Sequence, residues 1–344
     1  METVISEAIA DMAADGSLDA EIIRVESEQS AIAAAVGASA TGARTYTATA
    51  SQGLALMHEI LFVASGMRLP IVMGVANRSL SSPINIWNDH QDSFSQRDSG
   101  WIQLYVENAQ EAFDTHIQAF KIAEELRTPV MVCLDGYLVS HTYEPVKTLE
   151  KDAVTKFLPP YKPCVSLNPS KPVTMGTLGT PEHFIKFRKQ QQDAMADAPE
   201  IIRKVNREYA SLSGSSYGDG LVERENLDGN EQAIITMGSV AGTARALLKE
   251  EDIGLIRLKS LRPFPAEGLL KACRGLRSVG VLEKDVSIGA NGSLYDELRS
   301  LLYGTGTTIS GFIAGLGGRD ITLDDIRKII SSIKSGSENV EWVM

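Results

Sequence analysis

The sequence predicts an α/β protein of two parallel-sheet domains joined by an arm, and three observations carry that reading. From about residue 20 to residue 145, short apolar runs rich in β-branched residues alternate with helix-length amphipathic stretches, the signature of βαβ units on a parallel sheet. Over residues 150–225 the rhythm is lost, and prolines stand at 159, 160, 163, 169, 172 and 181. From residue 229 the alternation resumes to the end of the chain. The expected division is therefore a first domain at 1–150, a connecting arm at 151–228 and a smaller second α/β domain at 229–344. With 344 residues, the chain is long enough for each domain to bury a core of its own.

In chain order, the first strand is expected at residues 44–50 (RTYTATA), where Thr and Tyr supply the β preference. Ser51 follows, placed to cap a helix through QGLALMHEILFVAS, whose apolar residues recur at helical spacing. The next strands are residues 70–76 (PIVMGVA) and 128–135 (TPVMVCLD), with a helix at 108–126 before the latter. In the arm, residues 182–210 read as one charged helix whose polarity suggests packing on another body, and SLSGSSYGDG after it reads as flexible. Strands are then expected at 233–239, 253–261, 278–285 and 307–315. Helices run to about 249, near 266–274, near 293–303 and onward from Thr322.

Composition narrows the class of function. Hydrophobic residues make up 43% and charged residues 22%, an ordinary globular balance. A formal net charge of -11 argues against nucleic acid as a partner, because phosphate binding needs clustered Lys and Arg. Cys133, Cys164 and Cys273 lie far apart with no C-x-x-C pair, so no zinc or iron–sulfur cluster held by this chain alone is expected. METVISEAIADMAADGS is acidic and amphipathic, unlike a secretory leader. No apolar run approaches the roughly 20 residues of a membrane span. The expected setting is the cytoplasm, away from membranes.

Ligands of open parallel sheets bind beyond the carboxyl ends of the strands, which singles out four segments. VESEQSAIAA (25–34) places two carboxylates before a small-residue helix. TATASQG (47–53) is a hydroxyl-rich strand end leading into a helix start, where free N–H groups favour an anion. NRSLSSPINIWNDHQD (77–92) is a long polar loop, and DGYLVSH (135–141) follows the next strand. Each signal is weak alone. Glu28 reads as readily as an acid at a helix start, Arg78 as a surface ion pair, His90 and His141 as structural histidines, and Asp89 with Asp92 as loop caps. AGLGGRD (314–320) lacks the Lys-Ser/Thr of a phosphate loop and reads as a tight turn.

Longer segments say more. VESEQSAIAAAVGASATGARTYTATASQGLALMHE, GMRLPIVMGVANRSLSSPINIWNDHQDS and RDSGWIQLYVENAQEAFD resemble the first domain of pyruvate:ferredoxin oxidoreductases, in particular the separate alpha subunits of the archaeal and bacterial multi-subunit enzymes. LKSLRPFP, VLEKDVSIGANGSLYDE and FIAGLGGRDIT are similar to the same subunit's second domain. The resemblance implies a pyrimidine-type thiamine-diphosphate-binding domain followed by a smaller transketolase C-terminal-like domain. It implies oxidative decarboxylation of pyruvate with coenzyme A as co-substrate, giving acetyl-CoA and CO2, with electrons passed to ferredoxin. The G-D-G at residues 218–220 is not followed by an Asn-containing magnesium motif of the diphosphate-binding kind. Thiamine diphosphate is accordingly expected to be shared with a partner subunit, with Mg2+ and the iron–sulfur clusters on partners of the beta, gamma and delta type.

By position in the S-E-x-x-A motif, Glu28 resembles the family's glutamate that hydrogen-bonds the aminopyrimidine, a role that implies burial. Thr49, Ser51 and Gln52 are the further expected cofactor contacts. Arg78 resembles the arginine that holds the substrate carboxylate, with Asn77 beside it; a guanidinium fork suits a carboxylate better than an ammonium does. The resemblance also implies an earlier strand ending in a Y-P-I-T-P-like motif, and no such motif occurs in the chain. SSPINIWNDHQD looks like the pyruvate type. A related enzyme acting on a branched-chain 2-oxoacid, 2-oxoglutarate or oxalate, and a non-catalytic assembly paralogue, stay open at this point.

Overall fold

Continuous apolar runs belong in strands covered on both faces, and IVMGVAN, buried at every position, is one of these. The computed structural model describes residues 2–344. In chain order the strands are β1 (Thr45–Thr49), β2 (Ile71–Asn77), β3 (Ile102–Tyr105), β4 (Val130–Asp135), β5 (Val222–Glu225), β6 (Gln232–Thr236), β7 (Gly254–Leu258), β8 (Ser260–Arg262), β9 (Ser278–Glu283), β10 (Thr308–Ile313) and β11 (Val340–Trp342). They form two sheets, ordered β1-β2-β4-β3-β8 and β11-β10-β9-β6-β7-β5. Pairing is parallel except where β8 meets β3 and β5 meets β7. The register, with Thr49 opposite Val75 and Asn77 opposite Asp135, brings the carboxyl ends of β1, β2 and β4 to one side of the first sheet.

Several local expectations change. The run at 253–261 is not one strand: it breaks at Lys259, whose buried ammonium turns inward to Glu111 (2.6 Å) and Thr115 (2.8 Å). After that break β8 crosses over to pair with β3, so the two sheets are tied through a strand from the second half of the chain. Ser51 does not cap the helix that follows it. Its backbone stands at φ 52°, its hydroxyl reaches the Ser79 carbonyl instead, and the helix itself is split at Met57 into Gln52–Leu56 and His58–Gly66. The short strands β3, β5 and β11 carry too little apolar length to announce themselves.

The long helix Pro181–Ser213 packs against its own first domain rather than on another body over its C-terminal half. Ala198, Ile202, Val205 and Tyr209 are buried there, and the Tyr209 hydroxyl donates to Asp114 at 2.7 Å. The helix Ala109–Leu126 is capped by the side chain of Asn108, and the final helix Leu323–Ser335 by a Thr322–Asp325 capping box. Between the halves, Arg257 donates to both oxygens of Glu111 (2.8 and 3.1 Å) in a fully buried pair. Among the described residues, no helix is long and apolar enough to cross a membrane.

Candidate functional site

The helix Glu28–Ala40 starts beside the carboxyl end of β1, its first turn fixed by the Ser27 hydroxyl, which accepts from the Ser30 N–H at 3.3 Å. Glu28 is the first residue of that helix. Gly53, just past β1, is what lets the chain pass so near: a Cβ there would meet Thr49 Oγ1 at 2.7 Å, Glu28 Cγ at 2.8 Å and Glu28 Oε1 at 2.9 Å. Glu28, Thr49 and Gly53 therefore form one tight corner. The Thr49 hydroxyl is buried there with no hydrogen-bond partner.

Arg78 leaves the end of β2 and runs past Gly136, whose hypothetical Cβ would meet Asn77 O at 2.5 Å and Arg78 Cγ at 2.9 Å. Neither the Arg78 guanidinium nor the Glu28 carboxylate has an ion-pair or hydrogen-bond partner among the described residues. Both groups are only partly buried. Burial of Glu28 was expected; within this chain one side of it stays open. Most buried charges elsewhere in the protein are paired, so two free, opposite charges at the ends of adjacent strands mark a place prepared for something else.

Beneath these groups lies Asp92. Burial pushes its carboxyl up to about 6, against the pull of bonds from the Arg78 N–H, the Asn77 amide, the Ser51 N–H and the Ser93 N–H. Those bonds are 3.0, 2.7, 2.9 and 2.7 Å long. Asn77 is itself fully buried, its amide also donating to Ser93 Oγ at 2.6 Å. Its side chain supports the loop from below rather than reaching into the cleft. Of the other expected contacts, Ser51 is buried with its hydroxyl within 2.5 Å of both Ser79 O and Gln52 Oε1, and Gln52 itself is exposed.

The second domain braces the same loop. His90 Nε2 sits 2.7 Å from Asp135 Oδ1, and Lys284 donates to Asp135 Oδ2 (2.8 Å) and to Asn88 Oδ1 (3.0 Å). Although burial alone would raise the Asp135 carboxyl, Lys284 and His90 hold it well below the usual carboxylate range. The AGLGGRD turn packs on the loop directly: the Gly317 N–H donates to Asp89 Oδ2 at 3.2 Å, and Asn85 donates to Gly317 O at 3.1 Å. Here Gly318, at φ 79°, lies against Trp87 so closely that no side chain fits. Asp135 and Gly53 lay in segments marked in the sequence but were given no role, and neither was Lys284, since nothing in their residue type announces burial or contact.

Residues 2–207 match the family described as pyruvate flavodoxin/ferredoxin oxidoreductase, thiamine diphosphate-binding, and residues 230–326 match pyruvate:ferredoxin oxidoreductase core domain II. A pyruvate synthase subunit PorA from Methanocaldococcus jannaschii is 50% identical over 352 residues, covering 99% of this chain and 90% of that protein. The corresponding subunit from Methanothermobacter thermautotrophicus is 44% identical at the same coverage. A ketoisovalerate oxidoreductase subunit VorA from Pyrococcus abyssi is 41% identical, again over 99% of this chain and 90% of its own. Among solved structures, a 2-oxoglutarate:ferredoxin oxidoreductase from Magnetococcus marinus shares the fold at a TM-score of 0.68 and 20% identity, over 97% of this chain and 60% of the other. A split-gene transketolase does so at 0.52 and 15% identity, over 90% of this chain and 82% of the other.

Proposed function

This chain belongs to the pyruvate:ferredoxin oxidoreductase family, and from that premise we propose that it is the alpha subunit of an enzyme that oxidatively decarboxylates pyruvate, passing electrons to ferredoxin. The observation that carries the proposal is the corner of Glu28, Thr49 and Gly53 next to Arg78: a free carboxylate, a buried unpartnered hydroxyl and a free guanidinium at the carboxyl ends of neighbouring parallel strands. Such a set fits one half of a thiamine diphosphate site. The orphaned Thr49 hydroxyl in particular asks for a polar ligand atom.

Thiamine diphosphate, when bound, supplies the nucleophilic carbon and the electron sink that decarboxylation of a 2-oxoacid needs. The chain's own groups divide the remaining work. Glu28 would hydrogen-bond the aminopyrimidine through its carboxyl group, on the side of the corner that this chain leaves open. Thr49, whose buried hydroxyl has no partner, would hold the cofactor together with Ser51 and Gln52 at the turn beyond. Arg78 binds the substrate carboxylate through its fork and keeps it oriented while charge develops at the neighbouring carbon. Asn77 and its neighbours hold Arg78 in place.

Pyruvate is the preferred substrate in this reading because relatives named for pyruvate reach 50% identity and those named for ketoisovalerate 41%. The remaining parts belong to the proposal as well: coenzyme A as acetyl acceptor, Mg2+ and iron–sulfur clusters on beta, gamma and delta-type partners, and a cytoplasmic setting. The same holds for domain limits of 1–150, 151–228 and 229–344. The site assignment is tested by Glu28→Gln in the assembled complex. Thiamine diphosphate binding is expected to persist while hydrogen–deuterium exchange at C2 of the bound cofactor slows by roughly 10²–10⁴-fold. Exchange at the wild-type rate would remove Glu28 from its role.

A further inference from the structure

We propose that Asp92 is the positioning residue of this site: one buried carboxylate that fixes the turn at Ser51, on the cofactor side, to Arg78, on the substrate side. The proposal rests on the roles given above to the β1 corner and to Arg78. Ser51 and Arg78 are far apart in sequence, and each follows a different strand. A single atom, Asp92 Oδ2, accepts from both of their backbone N–H groups, at 2.9 and 3.0 Å. The other oxygen, Oδ1, accepts from the Asn77 amide and the Ser93 N–H, both at 2.7 Å. Asp92 has no exposed surface.

The chemistry of this arrangement is specific to an ionised carboxylate. Four donors converge, and among the side chains only a carboxylate offers two acceptor oxygens with no hydrogen of its own. Asparagine has the same shape, but its NH2 would face two N–H groups on one side or the other. The turn it holds is also a strained one. Ser51 stands at φ 52°, ψ -124°, a region that non-glycine residues occupy only where surrounding contacts over-determine it. Those contacts here are Asp92 Oδ2 at the Ser51 N–H, and Ser79 O and Gln52 Oε1, both 2.5 Å from its hydroxyl.

A purely structural role would favour a neutral group at this place. Burial raises the Asp92 carboxyl to about 6, above its unfolded value near 3.9. The folded protein therefore binds this proton more tightly than the unfolded chain does. The contribution to stability is full below the unfolded value and is lost as pH rises through about 6, so the ionised form opposes folding at neutral pH. What the charged form provides is the common anchor for two loops, and a displacement of about 1 Å at such a site can cost about 10²-fold in rate.

Two readouts on Asp92→Asn in the assembled complex test this. Backbone hydrogen exchange at Ser51 and Arg78 is expected to accelerate at both amides together, by roughly tenfold or more for a lost charge-assisted bond. The half-saturating concentrations of pyruvate and of thiamine diphosphate should both rise about tenfold or more. A second variant, Asn77→Ala, removes one of the four donors and should loosen the same two amides by a smaller factor. Unchanged exchange at both amides in either folded variant overturns the proposal, and so does a lowered Tm with both half-saturation values unmoved. Exchange decides the matter without turnover, so a wild-type complex inactive on pyruvate would sink the substrate reading and leave Asp92 to be judged by its amides.

Discussion

At the residue scale, the proposed function rests on side chains that lack partners and on the glycine that lets them meet. Gly53 is the clearest case, because a methyl group there would sit 2.7–2.9 Å from Thr49 Oγ1 and Glu28 Oε1, closer than packed atoms approach. Gly53→Ala is expected to push Glu28 outward and to raise the dissociation constant for thiamine diphosphate about tenfold, with Tm lowered by a few degrees; calorimetric titration of the complex checks it, and unaltered affinity would detach Glu28 from the corner. The motifs around Glu28 and Arg78 singled both out in the sequence, and both stand without a partner among the described residues. Asp92 was visible only as a polar loop residue, since its weight comes from burial and from converging donors on three separate segments. Asn77 was read as a substrate contact because it adjoins Arg78, yet strand alternation turns successive side chains to opposite faces, and this one points into the protein.

At the element scale, the rhythm of apolar runs located the long strands and helices, and it failed where tertiary contacts override local pattern. IGLIRLKSL has the composition of one strand, but Lys259 must bend inward to meet Glu111, and the strand is cut there. That lysine belongs to a network in which Arg257 and Lys259 both bond Glu111. Burial would raise the Glu111 carboxyl, yet the charges of Lys259 and Arg257 prevail and hold it down to about 2. Its folded value thus lies below the unfolded value near 4.3. The stability it contributes is present above about pH 4.3 and is lost as pH falls toward about 2. Glu111→Ala should destabilise the chain by about 3–5 kcal/mol, because it leaves two buried cations without their partner. Denaturant unfolding measures this, and a change under 1 kcal/mol would show that the network is dispensable.

On the scale of the whole molecule, the second domain is a brace for the first. Lys284, from the end of β9, bonds Asp135 at the end of β4, and the Leu316–Gly318 turn lies on the loop that runs from Arg78 to Asp92. The loop that follows Arg78 is thereby held from below by Asp92 and from the side by the second domain. Two α/β units could be read from the sequence, because each repeats the strand–helix rhythm. Their mutual bracing could not, since it depends on single buried groups and on β8 crossing between sheets. Such rigidity suits the proposed function, in which half of a shared cofactor site keeps its shape while a partner supplies the other half.

The central claim is that this half-site serves pyruvate. Its most direct test is thiamine-diphosphate-dependent ferredoxin reduction by the assembled complex across a panel of 2-oxoacids, with Arg78→Ala run alongside. The account predicts the highest kcat/KM with pyruvate, and in Arg78→Ala a pyruvate KM raised roughly 10–100-fold, the worth of a charge-assisted carboxylate contact. A tenfold preference for a branched-chain acid, 2-oxoglutarate or oxalate, or an unchanged pyruvate KM in the variant, would contradict it.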